Sequence, residues 1–364
     1  MSTIVIDARE SGTTTGRYMD KLIEYLYKIQ PPYEFIILTK MHRTEYFAHL
    51  TPNFKVLLSP FKEFTLDEQL GFKKQLDQLK PDLVHFTMVQ QPVLYRGKTV
   101  TTMQDLTGIR FKNPDKNPIV YTIKQQVYKQ VNKWAAHKSA AIITPSNFVK
   151  KDIVNFTHIK PTKVTVTHEA ADRITVPAEP LKKLAGGKPF IMYVGRPTPH
   201  KNLERLIEAF TKLQVLYPDL KLVLAGKSDP NYKRIKQSVS DRDIKNVIFT
   251  GFISEGSLRW LYEHCAAYIF PSLSEGFGLP GLEAMVHGAP VVSSRATCLP
   301  EVYGDAAHYF NPLDVDDIVK AVNDVLTDEK LRQRLIAAGL VQAKKYSWQR
   351  MAEQTLAVYG KSLS

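Results

Sequence analysis

An α/β fold of two doubly wound, parallel-sheet, Rossmann-like domains facing a central cleft is what the 364 residues predict, on three observations. The length exceeds what one hydrophobic core usually organises. Short β-rich runs alternate with stretches of helical periodicity, the pattern of a parallel sheet covered by helices on both faces. That alternation runs once, breaks at a polar, proline-containing stretch, and starts again. With 44% hydrophobic and 23% charged residues, the composition is that of a chain that folds rather than one that stays disordered.

In the first half the predicted strands are Thr3–Asp7, Glu34–Thr39, Lys55–Leu58, Asp82–Phe86, Thr99–Met103, Ala140–Thr144 and Lys163–Thr167. Ser146 is placed to cap a helix whose apolar positions are Phe148, Val149, Ile153 and Val154. The first domain is set at residues 1–180, and Asp172–Lys188, with Gly186 and Gly187, reads as the linker about which two domains close. The second domain, residues 188–345, restarts with the strand Phe190–Val194 and a helix capped by Asn202, with Leu203, Leu206, Ile207, Phe210 and Leu213 on one face. Its further strands are Lys221–Ala225, Val247–Thr250, Tyr268–Phe270, Val291–Ser293 and His308–Phe310. Residues 346–364, with Trp348, Met351, Leu356, Val358 and Tyr359, form a last amphipathic helix expected to return to the first domain.

Cys265 and Cys298 lie in or beside apolar, strand-like stretches with no partner at a metal-ligand or redox spacing, so buried, reduced thiols are expected. The N-terminal residues enter a strand at once, which leaves no room for a signal peptide. No apolar run reaches the roughly 18 to 20 residues of a membrane-spanning helix. These features predict a cytoplasmic protein.

The net charge of +13 is concentrated. Between Arg96 and Lys163 thirteen Lys or Arg face three acids, an excess of ten. Such a field attracts anionic lipid head groups, nucleic acid or a phosphorylated substrate alike, or is simply a solvated helix surface. Nucleic acid is set aside, because no binding motif and no basic stripe interleaved with stacking aromatics accompanies the charge.

In open parallel sheets ligands bind beyond the carboxyl ends of strands. The loop after Val194 runs from Gly195 to Asn202 and brings Arg196 and Lys201 to the start of a helix, a setting that favours anions such as a diphosphate. The loop after Phe270 carries Gly276, Gly278 and Gly281 around Phe277, with Glu275 and Glu283 on either side. Glycines there let backbone amides approach a ligand.

Here the sequence resembles glycosyltransferase family 4, in which a Glu, seven residues and a second Glu stand in this context. The resemblance extends through Val194-Gly195-Arg196, Lys201-Asn202, Gly288-Ala289-Pro290-Val291-Val292, Cys298-Leu299-Pro300-Glu301-Val302 and Gly304-Asp305-Ala306-Ala307. It covers nearly the whole chain and is strongest from Tyr193 to Pro312. It implies the GT-B fold and transfer of a hexose from a nucleotide-diphosphate sugar, with retention of configuration, to a hydroxyl of a glycan or lipid-linked acceptor. Within the family it is similar to bacterial mannosyltransferase-like group 1 enzymes of cell-envelope polysaccharide synthesis. GDP-mannose is therefore the first expectation for the donor and a UDP-sugar the second.

By the same resemblance Glu275 contacts a donor-sugar hydroxyl, Arg196 and Lys201 bind the diphosphate, and Glu283 binds the ribose. Gly195 and the amides near Gly276, Phe277, Gly278 and Leu279 line the donor, and the base lies near Phe249–Ile253. Gly12 and Thr13, in the loop Ser11–Arg17, are donor-phosphate candidates, although the family often has Gly-Gly or Gly-Ile-Gly there. Asp105 joins the catalytic candidates. It follows Gln104, where many relatives carry His, and an amide cannot take up a proton at neutral pH as imidazole can.

No Ser, Cys or carboxylate stands out as a covalent nucleophile, so a same-face substitution is expected, the leaving phosphate receiving the acceptor's proton. Fixed cations on the diphosphate make a metal cofactor unnecessary in this reading, and Asp241 and Asp243 read as a solvated turn rather than a metal site. The basic segment would suit a peripheral enzyme on the cytoplasmic face of a membrane. A non-catalytic sugar-nucleotide-binding scaffold and a sugar-nucleotide epimerase of the same architecture remain the alternatives.

Overall fold

The computed structural model describes residues 1–13, 15–111, 118–184 and 187–364. Thr14 of the Ser11–Arg17 loop, Lys112, Asp115 and Lys116 of the basic segment, and Gly186 of the expected linker lie outside the described residues.

Among the described residues thirteen strands are present, each within one residue of its predicted ends. The first seven are β1 (Thr3–Asp7), β2 (Glu34–Thr39), β3 (Phe54–Leu58), β4 (Leu83–Phe86), β5 (Thr99–Thr102), β6 (Ala141–Thr144) and β7 (Val164–Val166). They form one sheet in the order β3-β2-β1-β4-β5-β6-β7, all pairs parallel. The second sheet joins β8 (Phe190–Val194), β9 (Lys221–Ala225), β10 (Val247–Gly251), β11 (Ala267–Phe270), β12 (Val291–Ser294) and β13 (Ala307–Phe310) in the order β10-β9-β8-β11-β12-β13, again all parallel. Every residue of β4, β5, β11 and β12 is buried, as parallel strands covered on both faces must be.

Two compact units result. The first holds Met1–Arg110, the chain from 118 to Glu169, and Ser347–Ser364; the second holds Ala170–Tyr346. The break thus falls between Glu169 and Ala170, just ahead of the expected linker Asp172–Lys188 and of the expected domain limit at residue 180. Asp172–Lys188 has linker composition, but much of it is hydrogen-bonded onto the second unit. The Ile174 amide donates to Nε2 of His287 at 3.0 Å, Glu179 donates its amide to Gly256 O at 3.0 Å, and Arg259 donates to Val176 O at 2.9 Å. Composition reports what a segment lacks in periodicity; it does not report where its backbone groups find partners.

His287 is the pivot of that docking. Because Nε2 accepts from Ile174, the proton of the neutral ring sits on Nδ1 and is donated to Glu283 O at 2.7 Å. Burial, with Arg173 nearby, holds the ring's pKa down to about 4.

Ser146 caps its helix as predicted, accepting from the Val149 amide at 3.2 Å. Asn202 does not cap the helix Leu203–Leu216. Its φ is 60°, its side chain makes no bond to the helix backbone, and its Oδ1 accepts from the Arg205 guanidinium at 2.9 Å instead. Both cysteines are buried and free. Asp241 ends the helix Pro230–Asp241, and Asp243 pairs with Lys245 in the turn that follows. Among the described residues no helix is long and apolar enough to cross a membrane.

The C-terminal helix Trp348–Leu363 packs on the helix Arg17–Ile29 and on the first sheet. Its anchor is Tyr359, whose hydroxyl meets Nδ1 of His85 on β4 at 2.6 Å. His85 Nε2 meets Thr102 Oγ1 at 2.8 Å, and Thr102 meets the Tyr18 hydroxyl at 3.0 Å. Complete burial pushes the His85 pKa down to about 3. Tyr359→Phe should therefore cost about 1–2 kcal/mol, read by urea denaturation at pH 7, because it leaves a buried ring nitrogen without its partner. Both histidines have folded pKa values below the unfolded 6.5, so the unfolded chain takes up protons first and stability should fall as pH drops from about 6.5 towards 4. Thermal melts across that range check the sign.

Candidate active site

Along each sheet the strand order reverses once, between β1 and β4 in the first and between β8 and β11 in the second. At such a point the loops leaving neighbouring strands diverge to opposite faces and open a crevice at their carboxyl ends. The loops after β8 and β11 are the two that carry Lys201 and Glu275. Their side chains meet as an ion pair, Nζ to Oε1 at 2.6 Å, largely shielded from solvent. Lys201 also lies 5.6 Å from the centre of the Phe270 ring.

Five hydrogen bonds hold these loops in register. The Leu273 amide donates to His200 O at 2.7 Å, tying one loop to the other. Asn202, buried, donates its side-chain amide to Pro271 O at 3.1 Å and to Pro312 O at 2.8 Å. The Glu275 amide donates to Thr297 Oγ1 at 3.1 Å, and Cys298 Sγ donates to Glu275 O at 3.3 Å. Glu275 is thus clamped on its backbone while its carboxylate faces Lys201.

The glycines beyond Glu275 answer a packing demand. Tyr303 is fully buried and its hydroxyl donates to Gly278 O. A Cβ on Gly278 would stand 2.5 Å from that hydroxyl, and one on Gly281 would stand 2.3 Å from it. Gly278 also has a φ of 90°, which side-chain-bearing residues rarely adopt. The turn into the helix Leu279–Val286 is therefore open to glycine alone at two positions. Phe277 is buried, its ring edge-on to Tyr346 at 5.3 Å, so this residue offers a ligand its backbone and not its ring.

Glu283 lies half-buried on the same helix, with the Tyr262 hydroxyl 3.4 Å from Oε2. Gly195 is fixed by donating to Ala225 O at 3.0 Å and by accepting from the Tyr232 hydroxyl at 3.1 Å. Arg196 is exposed. Ile253 follows β10 at the same edge, beside Phe252, which is 84% exposed. In the second unit, then, Gly195, Arg196, Lys201, Ile253, Glu275, Gly276, Phe277 and Gly278 all lie between the carboxyl end of a strand and the next long helix, with Leu279 opening the helix that carries Glu283 one turn along.

In the first unit the donors of the loop after β1 are internally engaged. The Gly12 amide donates to Asp20 Oδ2 at 3.2 Å. Thr13 Oγ1 donates to Glu10 O at 2.8 Å and accepts from the Gly16 amide at 3.0 Å. Asp105 accepts the Thr107 amide at 2.7 Å, a turn that starts the short helix Thr107–Arg110.

Two features of this edge went unread in the sequence. One is a buried triad: Arg9, 2% exposed, bonds Asp7 at 2.8 Å and Glu68 at 2.9 Å, with its guanidinium 3.8 Å above the Phe72 ring. The charged run Asp7-Ala8-Arg9-Glu10 at the end of an apolar strand was its only signal. The other is Glu169, buried at the unit boundary beside Gln104. Part of the basic excess is structural: Lys138 donates to Gly97 O at 2.7 Å, Lys163 to His137 O at 2.6 Å, and Arg110 pairs with Asp152.

A carboxylate paired with a lysine at the switch point of a parallel sheet, beside an amide-rich turn, is an arrangement that suits an anionic ligand. Residues 179–341 match the family described as Glycosyl transferases group 1, and residues 15–174 match Glycosyltransferase Family 4. The chain is 30% identical over 279 residues to the O-antigen chain mannosyltransferase B of Escherichia coli, covering 72% of this chain and 70% of that one. It is 36% identical over 246 residues to the serotype-specific mannosyltransferase WbdA of Escherichia coli, covering 63% of this chain but only 30% of that longer protein. In fold it resembles the Anabaena protein Alr3699/HepE, solved with UDP and glucose, at a TM-score of 0.75 with 14% identity over 99% of both chains. The protein belongs to the group 1, family 4 glycosyltransferases.

Asn202 supplies a test of the scaffold. Asn202→Ala removes two buried hydrogen bonds and strains a positive φ, so it should destabilise by about 2–4 kcal/mol in chemical denaturation. Asn202→Gly, which tolerates that φ, should lose less.

Proposed function

We propose that this glycosyltransferase moves a hexose, with retention, from a nucleotide-diphosphate sugar to a hydroxyl of a glycan or lipid-linked acceptor in cell-envelope polysaccharide synthesis. GDP-mannose is the first candidate donor, favoured by the mannosyltransferase names of its relatives. A UDP-sugar is the second, favoured by the UDP and glucose bound to the structural neighbour. The observation that carries the reading is the Lys201–Glu275 pair at the β8/β11 switch point.

That pair stores two complementary functions in one contact. A diphosphate arriving at the loop after β8 competes for Lys201, with Arg196 exposed beside it to share the charge. The freed Glu275 carboxylate then accepts from a sugar hydroxyl, while the amides of the Gly276–Leu279 turn face the sugar and phosphate oxygens. Glu283 takes the ribose, and Ile253 borders the base. The bond from the anomeric carbon to the diphosphate oxygen breaks as the acceptor oxygen bonds to that carbon from the same face. The acceptor's proton passes to the departing phosphate oxygen. Lys201, Arg196 and the amides stabilise the negative charge that grows on the leaving group, without a metal. Gly12, Thr13 and Asp105 remain candidates on the first unit; for Gly12 to bind a phosphate its amide must leave Asp20. The basic surface between Arg96 and Lys163 supports a peripheral position at the cytoplasmic face of an anionic membrane.

Release of free nucleotide from a panel of GDP- and UDP-sugars, with simple glycoside acceptors, tests this in EDTA and again with magnesium. One donor should turn over equally in both. Glu275→Ala should lower transfer by about 100-fold or more while nucleotide affinity, read by calorimetry, changes little. Unchanged transfer would remove Glu275 from the mechanism, and turnover only with magnesium would refute metal independence.

A further inference from the structure

Exposed apolar side chains standing singly are ordinary, but a group of them calls for a reason. Phe64, Leu66 and Leu70, in the segment after β3, are 67%, 79% and 64% exposed. Val127 on the helix Pro118–Lys138 and Leu94 in the loop after β4 are each more than half exposed. All five belong to the first unit. Three contacts bring their segments together. The Phe64 ring lies 6.3 Å from that of Tyr128, the neighbour of Val127. The Gln69 side chain accepts from the Val93 amide at 2.8 Å and donates to Gln91 O at 3.3 Å, which ties the turn carrying Leu70 to the chain entering Leu94.

The fold imposes this exposure. Phe64 has a φ of 62°, a left-handed conformation that a bulky side chain adopts only under constraint. The constraint comes from the buried triad of Arg9, Asp7 and Glu68, which the mechanism above leaves idle. Glu68 Oε2 accepts from the Phe64 amide at 2.9 Å, and Arg9 donates to Phe61 O at 3.3 Å. Thr65 Oγ1 closes the turn by donating to Lys62 O at 2.7 Å. Phe61 turns inward, its ring 6.0 Å from that of Phe72, and Phe64 is held outside. Buried charges thus serve to keep an apolar side chain in water, which makes sense only if that side chain has something to meet.

The charge around the group identifies the partner. Lys62, Lys74, Arg96 and Lys124 are exposed, and each lies two to four residues from one of the five apolar side chains. Lys124 shares a helix face with Val127 and Tyr128, three and four positions on. That helix carries four lysines and no acid. Between residues 60 and 74 Asp67 is the one exposed carboxylate, since Glu63 pairs with Lys40 and Glu68 with Arg9. A nucleic acid would match the cations and leave the apolar side chains in water. The boundary of an anionic bilayer matches both, acyl chains taking the one and head-group phosphates the other. We propose that Phe64, Leu66, Leu70, Leu94 and Val127 form a tip that inserts into the interfacial layer of an anionic lipid bilayer, with the Arg9 triad as its rigid base. This deepens the membrane position proposed above and rests on it: charge brings the protein to the surface, and the tip fixes it there.

Flotation of the full chain with vesicles of phosphatidylcholine and phosphatidylglycerol, at low and at high salt, tests this. Part of the wild-type binding should survive high salt, because salt screens charge pairs and leaves buried apolar surface in place. The triple variant Phe64→Asn, Leu66→Gln, Leu70→Gln should partition roughly tenfold more weakly for each side chain exchanged, and should leave the vesicles entirely at high salt. Asn suits the left-handed φ and all three positions are exposed, so the melting temperature and transfer to a soluble glycoside should stay as in wild type. Equal binding of wild type and variant, or complete release of both by salt, would overturn the tip and leave the charged surface as the sole membrane contact. No wild-type binding at all would refute the membrane position itself, and the tip with it. A wild-type dimer that the variant dissolves without lipid would assign the patch to a second copy of this chain, and a folded variant that loses transfer would assign it to the reaction; either result overturns the proposal.

Discussion

One side-chain amide decides where three loops of the second unit lie. The Asn202 Nδ2 group reaches Pro271 O after β11 and Pro312 O after β13, from a residue that itself ends the loop after β8. Both acceptors are backbone carbonyls of residues before or at loop turns, which no strand ladder satisfies. Because Asn tolerates the positive φ that the position requires, one residue type meets a backbone and a side-chain demand together. Lys201 precedes it by one residue and Glu275 follows Pro271 by four, so the spacing of the ion pair inherits its precision from this tie.

Packing beneath the loop works in the same direction. Tyr303 fills the space that side chains on Gly278 and Gly281 would need, which draws the turn close to its own helix and leaves backbone as the surface facing outward. Thr297 and Cys298 grip Glu275 from behind. A charged pair at 2.6 Å can persist only if neither backbone gives way, and here each side is bound to a different part of the sheet edge.

The strands were legible because each is a short run rich in apolar and β-branched residues bounded by polar turns, and in the central strands burial on both faces leaves one compositional signature regardless of partner. The site loops of the second unit were legible for a different reason: glycine spacing and paired acids are local in sequence. What escaped was non-local. Asn202 looked like a helix cap because caps are read from the next few residues, and its actual acceptors lie 69 and 110 positions away. The segment after Ala170 looked like a linker because its bonds to His287, Gly256 and Arg259 cannot be inferred from its own composition. Glu169 and the Arg9 triad share this cause, since each is a cluster assembled by the fold from single, unremarked charges.

The return of Ser347–Ser364 to the first unit has a consequence for how the chain is made. The contact between His85 and Tyr359 spans 274 positions, so a ribosome must pass through the whole of the second unit before the first sheet can receive the helix that covers it. The second unit, by contrast, has all its strands and its closing helix Glu329–Ala343 while that last segment is still being synthesised. Translation order and maturation order are thereby inverted: the half that emerges first is finished last, and in the interval an apolar seam along the helix Arg17–Ile29 waits uncovered.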